Sequence, residues 1–191
     1  VLERVEEPEP PLRLTLVQAL AKGGRDEQAV ETATEVGVGL VLPWQSERCV
    51  SVWQGAKQAK GRQRWQATAL QAAKQARRAR VPEVEEVRDT RRLVDWVEQT
   101  VRGGGVVLVL HEEASTPIST AMESVRLPAP GEAPRALAVV VGPEGGISPE
   151  ETAALETAGA TTVRLGPHVM RTASAGPVAM AVLAHASGLW E

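Results

Sequence analysis

The sequence predicts an α/β protein built on a mostly parallel sheet with helices on both faces. Three observations predict it. Short apolar runs at 38–43, 106–110 and 137–141 have no polar alternation, as strands buried on both faces do. Stretches with apolar residues at helical spacing fall between them. Glycines and prolines punctuate nearly every change of pattern, so strands alternate with helices along the chain. At 191 residues the chain buries a full core, and length favours one domain, taken as 12–191.

In chain order, residues 1–11 hold four Glu and three Pro and read as a linker or the remnant of a preceding domain. Residues 12–20 include the strand-like alternation LRLTL. After the turn Lys22-Gly23-Gly24-Arg25, Asp26 is suited to cap a helix running to about Val36, with Gly37 as its stop. The strand 38–43 follows, then a long basic helix ended by Pro82. Residues 89–101 carry Leu93, Val94, Trp96 and Val97 at helical spacing and close on Gly103 to Gly105. Beyond the strands 106–110 and 137–141, Ser148-Pro149-Glu150-Glu151 is a capping box with proline at the first helical position, and that helix stops at Gly159. A weaker strand covers 162–165, and the last helix is expected over 177–189. Residues 115–134 are the one long irregular stretch.

Composition narrows the function classes. No apolar run approaches the roughly 18 residues of a membrane span, and the acidic, proline-rich start is unlike a signal peptide, so a cytoplasmic location is the default. Cys49 is the single cysteine, which leaves no disulfide framework and no cysteine metal cluster. It reads as a half-buried structural thiol rather than a nucleophile, since Arg48 is the one near neighbour in sequence able to lower its pKa.

The net charge of −3 conceals an asymmetry: residues 57–80 contain Lys57, Lys60, Arg62, Arg64, Lys74, Arg77, Arg78 and Arg80 and no acid. At helical spacing Lys57, Lys60, Arg64, Gln71, Lys74 and Arg78 share one face, and Trp65, Ala69, Ala72, Ala73 and Ala76 the opposite one. A solvated face normally mixes charge signs, so this stripe points to a nucleic-acid or phosphate partner.

Two loops near the C-terminus carry the chemistry. VVVGPEGGI (139–147) is a strand opening into a glycine-rich turn, and LGPHVMRTASAG (165–176) a strand opening into a basic turn. The first lacks the Lys and Ser/Thr of a phosphate loop and the spacing of a dinucleotide fingerprint. Its glycines, Gly142, Gly145 and Gly146, permit close backbone approach to a flat, nearly neutral group. Alone the turn is equally well strand-to-helix punctuation; Gly166-Pro167-His168 and Arg171-Thr172 add donors that punctuation does not require.

VVVGPEGGISPEE together with VRLGPHVMRTASA resembles the C-terminal signature of SPOUT-superfamily RNA methyltransferases dependent on S-adenosylmethionine (SAM), specifically the RsmE family of 16S ribosomal RNA uridine-N3 methyltransferases. QALAKGGRDEQAVETATEVGV, LPWQSERCV, the basic helix with Gln75, Arg78 and Pro82, and LVLHEE resemble that family's segments in its order, so the likeness covers about residues 12–185. It implies a C-terminal deep trefoil knot, which ordinary connection rules would not supply. It further implies a homodimer, a partner in 16S rRNA of the small ribosomal subunit and an N-terminal PUA-like RNA-binding domain of which 1–11 would be the end; no metal and no membrane partner are expected.

The implied SAM pocket comprises Val141, Gly142, Pro143, Glu144, Gly145, Gly146 and Ile147 on the first loop. Leu165, Gly166, Pro167, His168, Met170 and Arg171 belong to the second, and Leu110, His111 and Glu112 form a third wall. Methyl transfer to uracil N3 requires loss of the N3 proton and stabilisation of the uridinate oxygens. Arg171 is the candidate catalytic residue, because a guanidinium donates to a developing oxyanion without titrating; a structural phosphate or carboxylate contact is its plainer role. Glu144 is a candidate to orient ribose hydroxyls or a donor, unless it is simply a carboxylate stabilised by the helix N-terminus, and His168 a candidate to accept a proton unless it is simply a surface residue. Arg25, Arg48, Lys60, Arg64, Lys74 and Arg78 are the candidate RNA contacts, several of them at family positions that line the RNA side or brace the fold.

The chain departs from the family where His168 replaces a basic residue, Ala173 a Glu and Ser174 a Thr; Ala173 removes any carboxylate base at that position. Ala76 and Thr32 also stand where the family commonly has Ser and Lys. Two rival readings are a ribose 2′-O-methyltransferase of the same superfamily and a non-catalytic RNA-binding module of the same fold. The first usually carries an Asn-containing last motif, and this chain has no Asn.

Overall fold

Residues 8–123, 125–129 and 131–190 are described by a computed structural model; of the expected linker, residues 1–7 lie outside the described residues. The first half of the chain forms β1 (Leu12–Ala19), α1 (Arg25–Val36), β2 (Leu40–Gln45), α2 (Ala56–Gln75), β3 (Glu83–Val84), β4 (Arg88–Asp89) and α3 (Thr90–Arg102). The second half forms β5 (Val106–Leu110), α4 (Ile118–Met122), β6 (Arg135–Val141), α5 (Pro149–Thr157), β7 (Thr161–Val163) and α6 (Thr172–Ala186). The sheet runs β3-β2-β1-β6-β5-β7, β4 adds a second short pairing to β2, and every pairing is parallel.

Each central strand feeds two cores, which explains the unbroken apolar runs. Leu14, Leu16, Leu108, Leu137, Val139 and Val141 face one layer, with Val30 and Ala33 of α1, Trp65 and Ala69 of α2 and Met180 and Leu183 of α6. Val17, Ala19, Val107, Val109, Ala138 and Val140 face the other, with Leu93 and Val97 of α3 and Leu155 of α5. The alternation follows from the two-residue period of a strand. Trp65, fully buried, meets Trp53 edge to face at 5.2 Å and 72°, so its loss would open a cavity costing about 3–5 kcal/mol.

Several boundaries differ from those the sequence predicts, each for a tertiary reason. Asp26 does not cap α1. Gly24, in the left-handed region at φ 73°, holds the N-cap position, and the Asp26 carboxylate accepts the backbone N–H groups of Ala21 (3.3 Å) and Glu27 (2.9 Å). Burial pushes that carboxyl up, against the lowering effect of those two bonds. The strand expected at 38–43 lies two residues later, where Leu40 to Trp44 pair with Thr15 to Ala19.

The basic helix stops at Gln75 instead of running to Pro82. Arg77 takes φ 55°, its N–H donates to the Lys74 carbonyl (3.1 Å), and the Arg78 N–H reaches back to Ala73 (2.9 Å). This is a Schellman ending on a residue that costs roughly 1–2 kcal/mol there relative to glycine. Arg78 offsets that cost by donating to the carbonyls of Thr34 (2.8 Å), Val38 (2.7 Å) and Gly37 (3.3 Å), at the C-terminal end of α1.

The last helix begins at Thr172, five residues before the expected start. Pro177 lies inside it, where proline forgoes the bond to the Ala173 carbonyl. Burial of Thr172, Ala173, Ala175 and Gly176 sets the start instead. Within 115–134, expected to be irregular throughout, α4 buries Ile118 and Ala121.

Candidate active site

The site forms where adjacent strands send their helices to opposite faces. β1 and β6 are neighbours, but α1 packs on one face of the sheet and α5 on the other. The loops leaving their carboxyl ends therefore diverge and open a crevice, the usual ligand position in open α/β sheets. A cleft of about 780 Å³ lies there, within the range of roughly 300–1,000 Å³ that small-molecule sites occupy.

Three segments wall it. The first is the turn after β6, closed by the Gly146 N–H on the Pro143 carbonyl at 2.9 Å, with Gly146 at φ 74°. The Ser148–Glu151 capping box locks its far end: each side chain accepts the other residue's backbone N–H at 3.3 Å. The second is the segment from Leu165 to Arg171 between β7 and α6, and the third is Leu110, His111 and Glu112 at the end of β5. Every residue expected in the cofactor pocket lines this cleft. Val169, inside the same 165–171 loop, lines it as well, and so do Glu113, Pro149, Arg164, Thr172 and Ala175, which lie outside the expected cofactor residues. Arg164 is the cation just before the second loop, and Thr172 is the donor that follows Arg171 in it, although the expected later start of the helix hides its place at the first turn of α6.

Glu144 ties the cleft to the opposite lip. Its Oε1 accepts from the Arg25 guanidinium (3.1 Å) and the Lys22 N–H (3.3 Å). Partial burial pushes its carboxyl up, but hydrogen bonds from its own and the Lys22 N–H and from Arg25 outweigh that and hold it below the usual carboxylate range. Arg48 donates to the Gly145 carbonyl at 3.2 Å. It is carried by a loop fastened beneath: Glu151 accepts the Glu47 N–H (2.8 Å) and the Thr90 hydroxyl (2.6 Å), and Trp44 Nε1 donates to Thr90 (3.2 Å). Cys49 has its Sγ 3.3 Å from the Ser46 hydroxyl, and burial pushes its thiol up, which suits a structural thiol.

Arg171 stands at the N-cap of α6, exposed, its carbonyl accepting the N–H groups of Ser174 and Ala175 (both 2.9 Å). Among the described residues neither Arg171 nor Arg164 is engaged in an ion pair. The cleft thus combines apolar walls (Leu110, Val141, Ile147, Leu165), exposed backbone of a glycine turn and four guanidiniums, those of Arg25, Arg48, Arg164 and Arg171. Such a donor set fits SAM, whose adenine needs flat apolar surface and backbone partners and whose amino-acid end needs polar ones.

The candidate RNA contacts stand in three settings. Arg25 and Arg48 belong to the cleft, while Lys60 and Lys74 lie exposed on the outer side of α2. Arg64 shares that outer face but is paired with Glu27 of α1 at 2.7 Å. Arg78, placed by the helical pattern on the same stripe, is turned inward onto the end of α1 because the helix ends before it; of its two expected roles the structure gives the brace. Among the described residues no cluster of His, Cys, Asp and Glu is arranged for a metal, and no helix is long and apolar enough to cross a membrane.

A family model described as an RNA methyltransferase domain matches residues 8–184. The chain belongs to this RNA methyltransferase family. The ribosomal RNA small subunit methyltransferase E of Mycobacterium tuberculosis is 46% identical over 184 residues, spanning 95% of this chain and 67% of that protein. Among solved structures, the small subunit methyltransferase E of Neisseria gonorrhoeae bound to SAM superposes with a TM-score of 0.77 at 28% identity, over 94% of this chain and 68% of that one. A methyltransferase of Legionella pneumophila with bound SAM superposes at 0.75 with 31% identity, over 92% of this chain and 67% of its own.

Proposed function

We propose that the protein transfers a methyl group from SAM to N3 of a uridine in 16S ribosomal RNA of the small subunit. The observation that carries this reading is the cleft between the 142–147 turn and the 165–171 segment, in a chain 46% identical to a ribosomal RNA small subunit methyltransferase E. Val141 to Ile147, Leu165 and Leu110 would hold SAM, which when bound supplies an electrophilic methyl carbon on a sulfonium. Arg171, fixed by its backbone at the start of α6, donates to the uracil oxygens as N3 loses its proton, and so stabilises the uridinate. Ala173 carries no carboxylate, so no base comes from that position. Lys60, Arg64 and Lys74 add backbone contacts along the RNA, with Arg25 and Arg48 at the mouth of the cleft.

The same reading includes a knot and a second copy. Beyond β7, the Arg164 N–H donates to the Thr116 carbonyl (2.8 Å) and the Ile118 N–H to the Arg164 carbonyl (3.0 Å). The chain then turns back under the sheet as α6, which packs on β1, β6 and α1. This route, held at Thr116 and Ile118 of the connection that leaves β5, supports a trefoil threading. The outer side of α6 leaves Val178 and Val182 exposed, apolar surface that a partner subunit would cover.

The test is to incubate hypomethylated small ribosomal subunits with the protein and methyl-labelled SAM and to map the label. Label on uracil N3 is the expected outcome. Label on a ribose, or RNA binding without saturable SAM binding, would replace this reading by one of its two rivals.

A further inference from the structure

Gln18 is a polar residue at the centre of the molecule that neither the cofactor walls nor the RNA surface explains. It lies on β1 opposite Val141 of β6, with its side chain fully buried. Its Nε2 donates to the Ala19 carbonyl at 3.1 Å and to the Thr172 hydroxyl at 2.8 Å, and the Thr172 hydroxyl is 2.8 Å from the Gly142 carbonyl. The polarity is fixed by chemistry. Both end carbonyls only accept, so the single hydroxyl proton goes to Gly142, and the hydroxyl lone pair receives the Gln18 amide. With the amide so oriented, Gln18 Oε1 meets no donor among the described residues, a cost to stability that an apolar residue would avoid.

Close helix packing makes the relay possible. A Cβ on Gly176 would come 2.7 Å from Leu16 Cδ1 and 3.3 Å from Val141 Cγ2 and would force the side chains of β1 and β6 to shift, so glycine there suits the close approach that lets Gln18 reach the first residue of α6. The relay spans two walls of the cleft: Gly142 opens the glycine turn, and Thr172 directly follows Arg171. We infer that Gln18 and Thr172 are positioning residues for methyl transfer, a hydrogen-bonded relay that sets the Gly142 turn and the Arg171-bearing start of α6 at their working separation. This rests on the proposed function for the identity of the reaction, but the mechanical statement stands apart from it.

The test uses Thr172→Val, which removes the hydroxyl at nearly constant shape, Thr172→Ser, which keeps it, Gln18→Leu, and the Gln18→Leu/Thr172→Val double variant. Methylation kinetics, thermal midpoints and amide hydrogen exchange are measured on each. Thr172→Val and Gln18→Leu should each lower kcat roughly ten- to a hundred-fold with KM for RNA little changed, since misplacement of about an ångström has that effect. Thr172→Ser should restore most of the activity. The double variant should lose no more than the worse single variant, because one relay is broken once, and its midpoint should be no lower than that of Thr172→Val. Losses that multiply, a Thr172→Ser variant as impaired as Thr172→Val, or a lowered midpoint with unchanged kcat would each overturn the inference. If the wild-type protein transfers no methyl group, the functional reading fails, and exchange decides the relay alone. Faster exchange in both 142–147 and 172–175 of Thr172→Val supports it, and unchanged exchange in either segment refutes it.

Discussion

Replacing Glu151 with alanine should destabilise the protein well beyond the loss of a helix cap. The side chain is 5% exposed, and its two oxygens divide the work. Oε2 accepts the Ser148 N–H and hydroxyl, both at 3.3 Å, which is the local capping box. Oε1 accepts the Glu47 N–H at 2.8 Å and the Thr90 hydroxyl at 2.6 Å, joining α5 to the loop that carries Arg48 and to the start of α3. The two long bonds are worth about 0.5 kcal/mol each and the two short, charge-assisted ones about 1.5 kcal/mol each. Water reaching the freed Glu47 N–H recovers part of this, which leaves a net loss of about 3 kcal/mol. For a chain of this size that lowers the thermal midpoint by roughly 6–12 °C. Ser148→Ala, which removes only the cap, should cost about 1 kcal/mol. Glu150→Ala, at an exposed position of the same turn, should cost no more than about 1 kcal/mol through the helix dipole. The assay is thermal or urea unfolding of the three variants side by side. A Glu151→Ala loss equal to that of Ser148→Ala would show that the contacts to Glu47 and Thr90 contribute nothing.

Arg171→Ala should lower methyl-transfer turnover by about 10²–10³ while leaving SAM affinity nearly intact, as loss of an oxyanion donor does; equal losses in titration calorimetry and turnover would reduce it to a binding residue. Lys60→Ala with Lys74→Ala should weaken RNA binding uniformly across sequences and flatten the salt dependence, with log K changing by roughly 0.7–0.9 less per tenfold change in salt for each phosphate contact removed; an unchanged slope would take α2 out of the RNA surface. Arg78→Ala should lower stability by roughly 2–4 kcal/mol with no change in that slope, since its guanidinium serves three backbone carbonyls; a changed slope would return it to the RNA face. Glu144 is held below its unfolded pKa, so its contribution to stability is present above the unfolded value and is lost as the pH falls through the folded one. Melting curves of the wild type should therefore converge on those of Glu144→Gln in acid, and a constant gap between them at all pH values would contradict the Arg25–Glu144 link.

The parts of this fold legible in sequence are those fixed by local chemistry. The runs at 106–110 and 137–141 read as buried strands because the two-sided core removes any polar alternation, and the Ser148–Glu151 box reads as a helix start because both halves of the motif lie within four residues. The parts that were not legible depend on partners far along the chain. Pro177 marks a helix boundary by every local rule, yet α6 starts earlier because Thr172, Ala173, Ala175 and Gly176 are buried, Gly176 in close approach to Leu16 of β1 and Val141 of β6. Arg78 belongs to a basic stripe by periodicity, yet the helix ends before it, and the free carbonyls of α1 claim it. The site shows the same division. Both loops were visible as motifs, but their meeting depends on β1 and β6 being neighbours, two strands separated by more than a hundred residues. That pairing brings the Lys22–Arg25 turn against Glu144 and Gln18 against Thr172. Neither contact has a sequence signature of its own: Arg171-Thr172 stands out as a donor pair, but nothing in sequence points from it to a lone Gln in an apolar strand. They become functional candidates only when the switch in helix direction at the β1–β6 boundary places Thr172 in the wall of the cleft and the buried Gln18 behind it, where a buried amide with an unmet acceptor is costly to keep unless it holds something in place.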